Sequence, residues 1–234
     1  MSSQGLGGNS FDQDGRVLLR TGAIAAFLVF TGYLLTFPVY AVVGYYPAGA
    51  EARLVYFSNH ASGWWIITGL MVATDLLIIP VFIAIYRAVP LRRVVLLAVA
   101  CQALFVAVDL AVTWTAHTAL ITLGKDFASA AADAQRTTLV AAAGYPSSVL
   151  DSPLLGIIII LIPSLGILLA TVDMPKTFSK STVILGWAAG LTGLIAGFVS
   201  ILPASFRVAP VLNAFIIMIW YLMTGLKLFR LSRP

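Results

Sequence analysis

Charge is what this chain has least of: nine acidic and fourteen basic residues in 234, or 10%, against roughly a quarter in an ordinary soluble domain. A chain that poor in charge and 60% hydrophobic cannot face water on all sides. It reads as an all-α, polytopic membrane helix bundle, since helices satisfy their backbone groups within the segment. Cysteine is nearly absent, and the single Cys101 lies inside an apolar run. That excludes an intrachain disulfide and any CxxC metal or redox motif. The patterns HExxH, GxSxG and GxxxxGK[ST] are missing, which removes zinc-protease, serine-hydrolase and P-loop chemistry. No lysine or arginine falls inside an apolar run, so a mid-membrane Schiff base is excluded and no internal counter-ion is expected. The net charge of +5 comes from residues between apolar runs, without the interleaved aromatics of a nucleic-acid face. No nucleic acid, cofactor or metal is therefore expected.

What remains is apolar runs and their punctuation. Residues 1–15, rich in Gly, Ser and Gln, read as a flexible N-terminal segment that cannot bury a core, leaving 16–234 as one transmembrane domain. From Thr21 to Ala50 there is no charge, too long for the roughly 7–15-residue core of a cleaved signal peptide, so the first run is a retained helix ending near Val43. A polar-aromatic loop, Gly44–Asn59, follows, its tyrosines suited to an interface belt. The second helix covers about Ala61–Tyr86 and the third about Val94–Leu123, with Lys125–Arg136 as a short polar loop. The fifth covers about Ser181–Leu202 and the sixth about Pro210–Leu226.

The run between Thr137 and Val172 is the exception. As one helix it would be about 54 Å long, against about 30 Å of hydrocarbon. Pro146 and Pro153 each remove a donor and clash with the preceding turn, with Asp151 between them. The fourth span is therefore expected to be interrupted. It is either kinked across Pro146–Pro153 or split into a short outer helix and a second one starting near Ser152, which can cap, with Pro153 at the first helical position.

Basic residues orient the spans. With both termini cytoplasmic, Arg16, Arg20, Arg87, Arg92, Arg93, Lys176, Lys180, Lys227, Arg230 and Arg233 lie inside, and Arg53, Lys125, Arg136 and Arg207 lie outside. This asymmetry supports six spans in the cell membrane. It places Gly44–Asn59 and Lys125–Arg136 on the outer face.

Chemistry is confined to three carboxylates within the runs, Asp75, Asp109 and Asp151. Each lies about 18–21 Å along its helix from the outer end. In the third helix Gln102, Asp109, Thr113 and His117 share a face; in the second, Thr68 and Asp75 do. Ionisable residues inside a membrane are costly and face the bundle interior or a water-filled cavity, and broken spans build binding sites in several transporter folds. The expected site is one internal polar cavity lined by Asp75, Asp109, Asp151, Thr68, Gln102, Thr113, Tyr145 and Ser148, with His117 near it, reached from the outer leaflet. The plain alternative is that each aspartate only ties helices together. His60 and His117 differ in depth by about 10 Å, which argues against a shared metal or haem. Trp64, Trp65, Trp114 and Trp220 read as interface belts or bundle packing.

Gly186, Gly190, Gly193 and Gly197 share one face of the fifth helix. Small residues let helices approach closely, either inside the bundle or, through Gly186, Gly190 and Gly197, against a second copy or a membrane-complex partner. The segments ATDLLIIPVFIAIYRAV, SPLLGIIIILIPSLGILLA and FSKSTVILGWAAGLTG, followed by a last helix with a basic tail, resemble the bacterial and archaeal domain-of-unknown-function family numbered four thousand three hundred and eighty-six. The likeness covers about Arg20 to Arg230 and is carried by Asp75, Gly166 and Gly186. It implies six membrane helices and lends no activity. Three functions fit the residues: binding or translocation of a proton, cation or small polar ligand; an intramembrane enzyme acting on a lipid or isoprenoid through an aspartate acid/base pair; or an accessory subunit of a larger membrane complex.

Overall fold

The computed structural model describes residues 13–90, 92–198 and 208–233, and their regular structure is entirely helical. The helices are α1 (Gln13–Val43), α2 (Ala50–Ala88), α3 (Arg92–Val108), α4 (Thr115–Ser129), α5 (Asp133–Leu150), α6 (Pro153–Asp173), α7 (Lys180–Gly197) and α8 (Ala209–Leu231). A π-helical turn, Asp109–Trp114, joins α3 to α4 without a break. Five segments are long and apolar enough to cross a membrane: Gln13–Val43, Ala50–Ala88, Arg93–Ser129, Pro153–Lys176 and Ala209–Leu231. The chain is thus a multi-pass helical membrane protein. Helix α7, 18 residues long with Lys180 at its start and four glycines, is not among the five. The expected end of its span at Leu202 lies outside the described residues, as do residues 1–12 of the N-terminal segment; Gln13–Gly15 already belong to α1.

Helix α1 packs on α2, α2 on α3 and α4, α3 on α6, α6 on α7, α7 on α8, and α8 returns to α1. Small residues set the registers. Between α1 and α2, a Cβ on Gly22 would stand 2.1 Å from the Ala84 Cβ, one on Gly32 2.3 Å from the Thr74 Oγ1, and one on Gly63 2.4 Å from the Val43 Cγ1. These three approaches fix one antiparallel alignment along the length of α1. Between α6 and α7, Gly186 meets Thr171, Gly190 meets Leu168, Gly193 meets Ser164 and Gly197 meets Leu161. The glycine face of α7 is filled by its own neighbour in the chain. Lipid supplies no hydrophobic drive between helices, so backbone proximity and dispersion replace it.

Two loops are shorter than the sequence suggests. The segment Gly44–Asn59 is mostly helix, because Ala50–Asn59 contains good helix formers with Glu51 in the first turn, where a carboxylate favours the helix dipole. The connection shrinks to 44–49, where Gly44 and Gly49 adopt φ of 72° and 91°, a region open to glycine. The Tyr56 hydroxyl reaches the carbonyls of Val43 and Gly44 at 2.8 and 2.9 Å, closing carbonyls that the end of α1 leaves unpaired. Helix α2 bends at His60 (φ −121°, ψ 15°). Likewise α4 runs to Ser129 and α5 starts at Asp133, so little of Lys125–Arg136 is loop.

The long run after residue 137 is divided outright. Helix α5 ends at Leu150, Ser152 turns extended (φ −67°, ψ 118°) with its hydroxyl accepting a long 3.5 Å bond from the Leu155 N–H, and Pro153 takes the first position of α6. With 21 residues, α6 is about 31 Å long and reaches across hydrocarbon unaided. Helix α5 is then free to lie against α4 and α2.

Candidate ligand-binding cavity

The wide turn at Asp109–Trp114 decides what faces the bundle interior. In an α-helix, residues five apart diverge by about 140°. The π turn closes that angle, and Asp109, Thr113 and Trp114 are all buried. The Trp114 Nε1–H consequently donates to the Asp75 Oδ2 across the interface at 2.9 Å. The Asp75 and Asp109 carboxyls adjoin closely enough to interact directly. Asp75 lies twelve residues from Gly63, which faces the end of α1, and twelve from Arg87. That is about 18 Å in either direction, the middle of the apolar stretch.

Both aspartates line a half-open cavity of about 350 Å³ between α1, α2, α3, the π turn, α4, α5 and α6, at the small end of the range for ligand pockets. Its other walls are Tyr33, Tyr40, Tyr46, Trp64, Met71, Phe105, Thr113, Trp114, His117, Leu155 and Ile159. Tyr45, 86% exposed, stands at its rim. Asp75 Oδ1, Asp109 Oδ1 and the Thr113 hydroxyl are buried beside one another, with no lysine, arginine or backbone donor on them among the described residues. Buried acceptors left this way are costly. Two carboxyls brought together in one cavity mark a place where a cation or a hydrogen-bond donor would be held.

His117 is fixed rather than poised to move. Its Nδ1 lies 2.9 Å from the Thr113 carbonyl; a carbonyl only accepts, so Nδ1 carries a proton and Nε2 is the acceptor of the neutral ring. The imidazole stacks on Trp64 (5.0 Å, 13°), with Trp114 at 5.3 Å and the edge of Tyr46 at 5.6 Å. Among the described residues, no three His, Cys, Asp or Glu are grouped so as to hold a metal ion.

Asp151 belongs to a different arrangement. It sits in the two-residue link between α5 and α6, half exposed, and forms an ion pair with Arg53, whose side chain is 2% exposed. Arg53 also donates from Nη1 to the Ser147 carbonyl (2.7 Å) and from Nε to the Pro47 carbonyl (3.0 Å), and its guanidinium lies 4.8 Å from the Tyr46 ring centre. The expectation that no counter-ion is available thus fails for Asp151. Because the helix breaks completely there, the residue reaches the start of α2 instead of the bundle interior. Burial raises the Tyr46 phenol, with the Arg53 charge opposing, so the ring stays neutral.

Of the expected site residues, Asp75, Asp109, Thr113 and His117 line the cavity. Thr68 and Gln102 are buried but do not line it, and Gln102 donates to the Pro163 carbonyl at 2.9 Å. Tyr145 is 80% exposed beside a shallow groove between α4 and α5, and the exposed Ser148 hydroxyl turns back to the Gly144 carbonyl at 2.9 Å. Trp114, Tyr33, Tyr40 and Tyr46 line the cavity and Arg53 lies against Tyr46, beyond the residues expected from sequence. Tyr33 and Tyr40 stand seven apart, a helical repeat that would have found them; nothing in the sequence marks the π turn or the Arg53–Asp151 pair. The chain matches no family model, and comparisons with curated proteins and with solved structures likewise find no match.

Proposed function

We propose that this protein crosses the cell membrane six times with both termini in the cytoplasm, and that the Asp75–Asp109 cavity binds a small cation or hydrogen-bond-donating ligand entering from the outer side. The observation that carries the reading is the pair of buried carboxyls, Asp75 and Asp109, brought together beside the Thr113 hydroxyl in one cavity with no lysine or arginine in its lining. Carboxylates at mid-membrane are expensive, and packing alone would favour pairing them with donors on neighbouring helices. The six-span topology rests on the excess of basic residues on one side and on the pairing of α7 with α6 along its described length. Six spans are also what the resemblance noted from the sequence implies.

Two measurements test this. In a Cys101→Ala background, cysteines at the exposed Ser129 and Ser179 should differ toward an impermeant thiol reagent applied outside, with only Ser129→Cys labelled; equal labelling sinks the topology. For the site, purified protein should be stabilised against heat by at least one member of a panel of inorganic cations, amines and polyols. Asp75→Asn and Asp109→Asn should fold normally and lose that stabilisation. An identical response from the variants would return the aspartates to a purely structural role.

A further inference from the structure

The walls of the cavity say more about the ligand than its carboxylates do. A bare alkali or divalent cation needs a shell of oxygen ligands, and here the two carboxylates and the Thr113 hydroxyl are set among Tyr33, Tyr40, Trp64 and Phe105. Aromatic faces attract cations that need no oxygen shell, and methylated or alkylated ammonium groups suit them best. Tyr46 already carries a cation, the Arg53 guanidinium 4.8 Å from its ring centre. That guanidinium is committed to Asp151 and two carbonyls, which leaves Asp75 and Asp109 without a cation of their own. Asp75 is fully buried, Asp109 is 6% exposed and the two carboxyls adjoin, so a cation arriving beside them would meet both at once.

Building on the cavity reading above, we infer that the ligand class is an organic ammonium, whose positive head sits against Asp75 and Asp109 and whose alkyl groups lie on the tyrosine rings. Size agrees, since a volume of about 350 Å³ suits a compact head group more than a long chain. Inorganic cations, lacking alkyl groups, should gain little there.

The test uses tetramethylammonium, choline, and 3,3-dimethylbutan-1-ol, a neutral molecule with the shape of choline, beside sodium and potassium, each titrated calorimetrically into the purified full chain. Tetramethylammonium and choline should bind, and the neutral alcohol should bind at least tenfold more weakly. Asp75→Asn and Tyr40→Leu should each weaken the ammonium ligands about tenfold, while Tyr40→Phe, which keeps the ring, should bind like the parent. Equal binding of choline and its neutral counterpart overturns the ammonium assignment and leaves a cavity for hydroxyl-bearing ligands. Binding of sodium or potassium alone, lost in Asp75→Asn, overturns it too and leaves an inorganic cation site. If none of the five binds, the ammonium inference falls; if the wider panel above also gives no Asp75-dependent stabilisation, the cavity reading falls with it.

Discussion

The two buried clusters of this bundle are built on opposite plans. One is mostly small and aliphatic, with Leu19, Ala23, Ala26, Val81, Ala84, Ile85, Ala98, Ala170 and Ala189 around a minority of rings such as Phe82, Trp220 and Tyr221, and its helices are drawn together at Gly22, Gly166, Gly186 and Gly190. The other is built on Phe57, Trp64, Trp114 and Phe127, with Tyr40, Tyr46 and Tyr56 against them. Small residues bring backbones together and leave no room; large rings hold them apart. The cavity and its carboxylates occur where rings set the spacing, which is how a membrane bundle can be rigid along part of its length and hollow along another. A polar site needs space, and here it opens beside the aromatic region.

The comparison breaks most visibly if the tight region is forced open. Gly22→Leu would drive a side chain into Ala84 and the Pro80 carbonyl, the carbonyl lying 3.0 Å from the added Cβ. Overpacking typically costs about 1–3 kcal/mol, and here a backbone atom that cannot rotate away puts the effect at the upper end, about 3 kcal/mol. Gly69, with nothing within 4 Å of an added Cβ, is the control: Gly69→Leu should be neutral or slightly stabilising, since glycine is the poorer helix former by up to about 1 kcal/mol. Unfolding in mild detergent with a denaturing titrant reads both. Equal losses would mean that the glycine contacts do not set the helix spacing.

The ion pair over the cavity should respond unequally to loss of either partner. Asp151→Ala strands the guanidinium of Arg53, 2% exposed, without its carboxylate, a change of the kind that costs about 3 kcal/mol. Arg53→Met removes the buried charge itself and leaves a carboxylate that is 51% exposed and can turn to water. Its cost should be nearer 1 kcal/mol. Thermal midpoints of the two variants, compared with the double variant, measure the order. If Arg53→Met is the more damaging, the interactions with Tyr46 and the two carbonyls outweigh the ion pair.

How much of this was legible in the residues follows from which regularities helices keep. Apolar runs gave the helices, and the length of the run between 137 and 172, with serine and proline at 152 and 153, gave the break at its observed place. Four-residue and seven-residue spacings gave the glycine face of α7 and the buried set Gln102, Asp109, Thr113 and His117. The reading failed where the helix departs from its ordinary period or where charge hides helix-forming sequence. Trp114 joins Asp109 only because the turn between them is π-helical, and a period of 3.6 residues assigns the two to different faces. Ala50–Asn59 passed for a loop because Glu51 and Arg53 interrupt its hydrophobicity, although both are compatible with a helix. Long-range pairing of Arg53 with Asp151 leaves no local trace, since it depends on how α5 comes back across α2.

The finest distinction between the clusters is what their tryptophans do with the indole N–H. In the aromatic region Trp114 donates to Asp75 at 2.9 Å. In the close-packed region Trp220 is 0% exposed and its Nε1 has no partner among the described residues. Both are buried rings, so replacing either by phenylalanine removes comparable apolar area, and the two losses should differ mainly by the hydrogen bond. Trp114→Phe also strips Asp75 of a donor, which raises the cost of keeping that carboxyl buried; a net hydrogen bond is worth about 1 kcal/mol. Trp220→Phe relieves an unpaired donor and should recover part of its packing loss. The expected result is that Trp114→Phe is the less stable of the two by about 1–2 kcal/mol in a denaturant titration. Adding Asp75→Asn to each tests the cause: the gap should narrow, because the asparagine side chain has one acceptor oxygen where the carboxyl has two. A gap that persists unchanged in the Asp75→Asn background would place the difference in ring packing and remove the Trp114–Asp75 bond from the account of how the cavity is held.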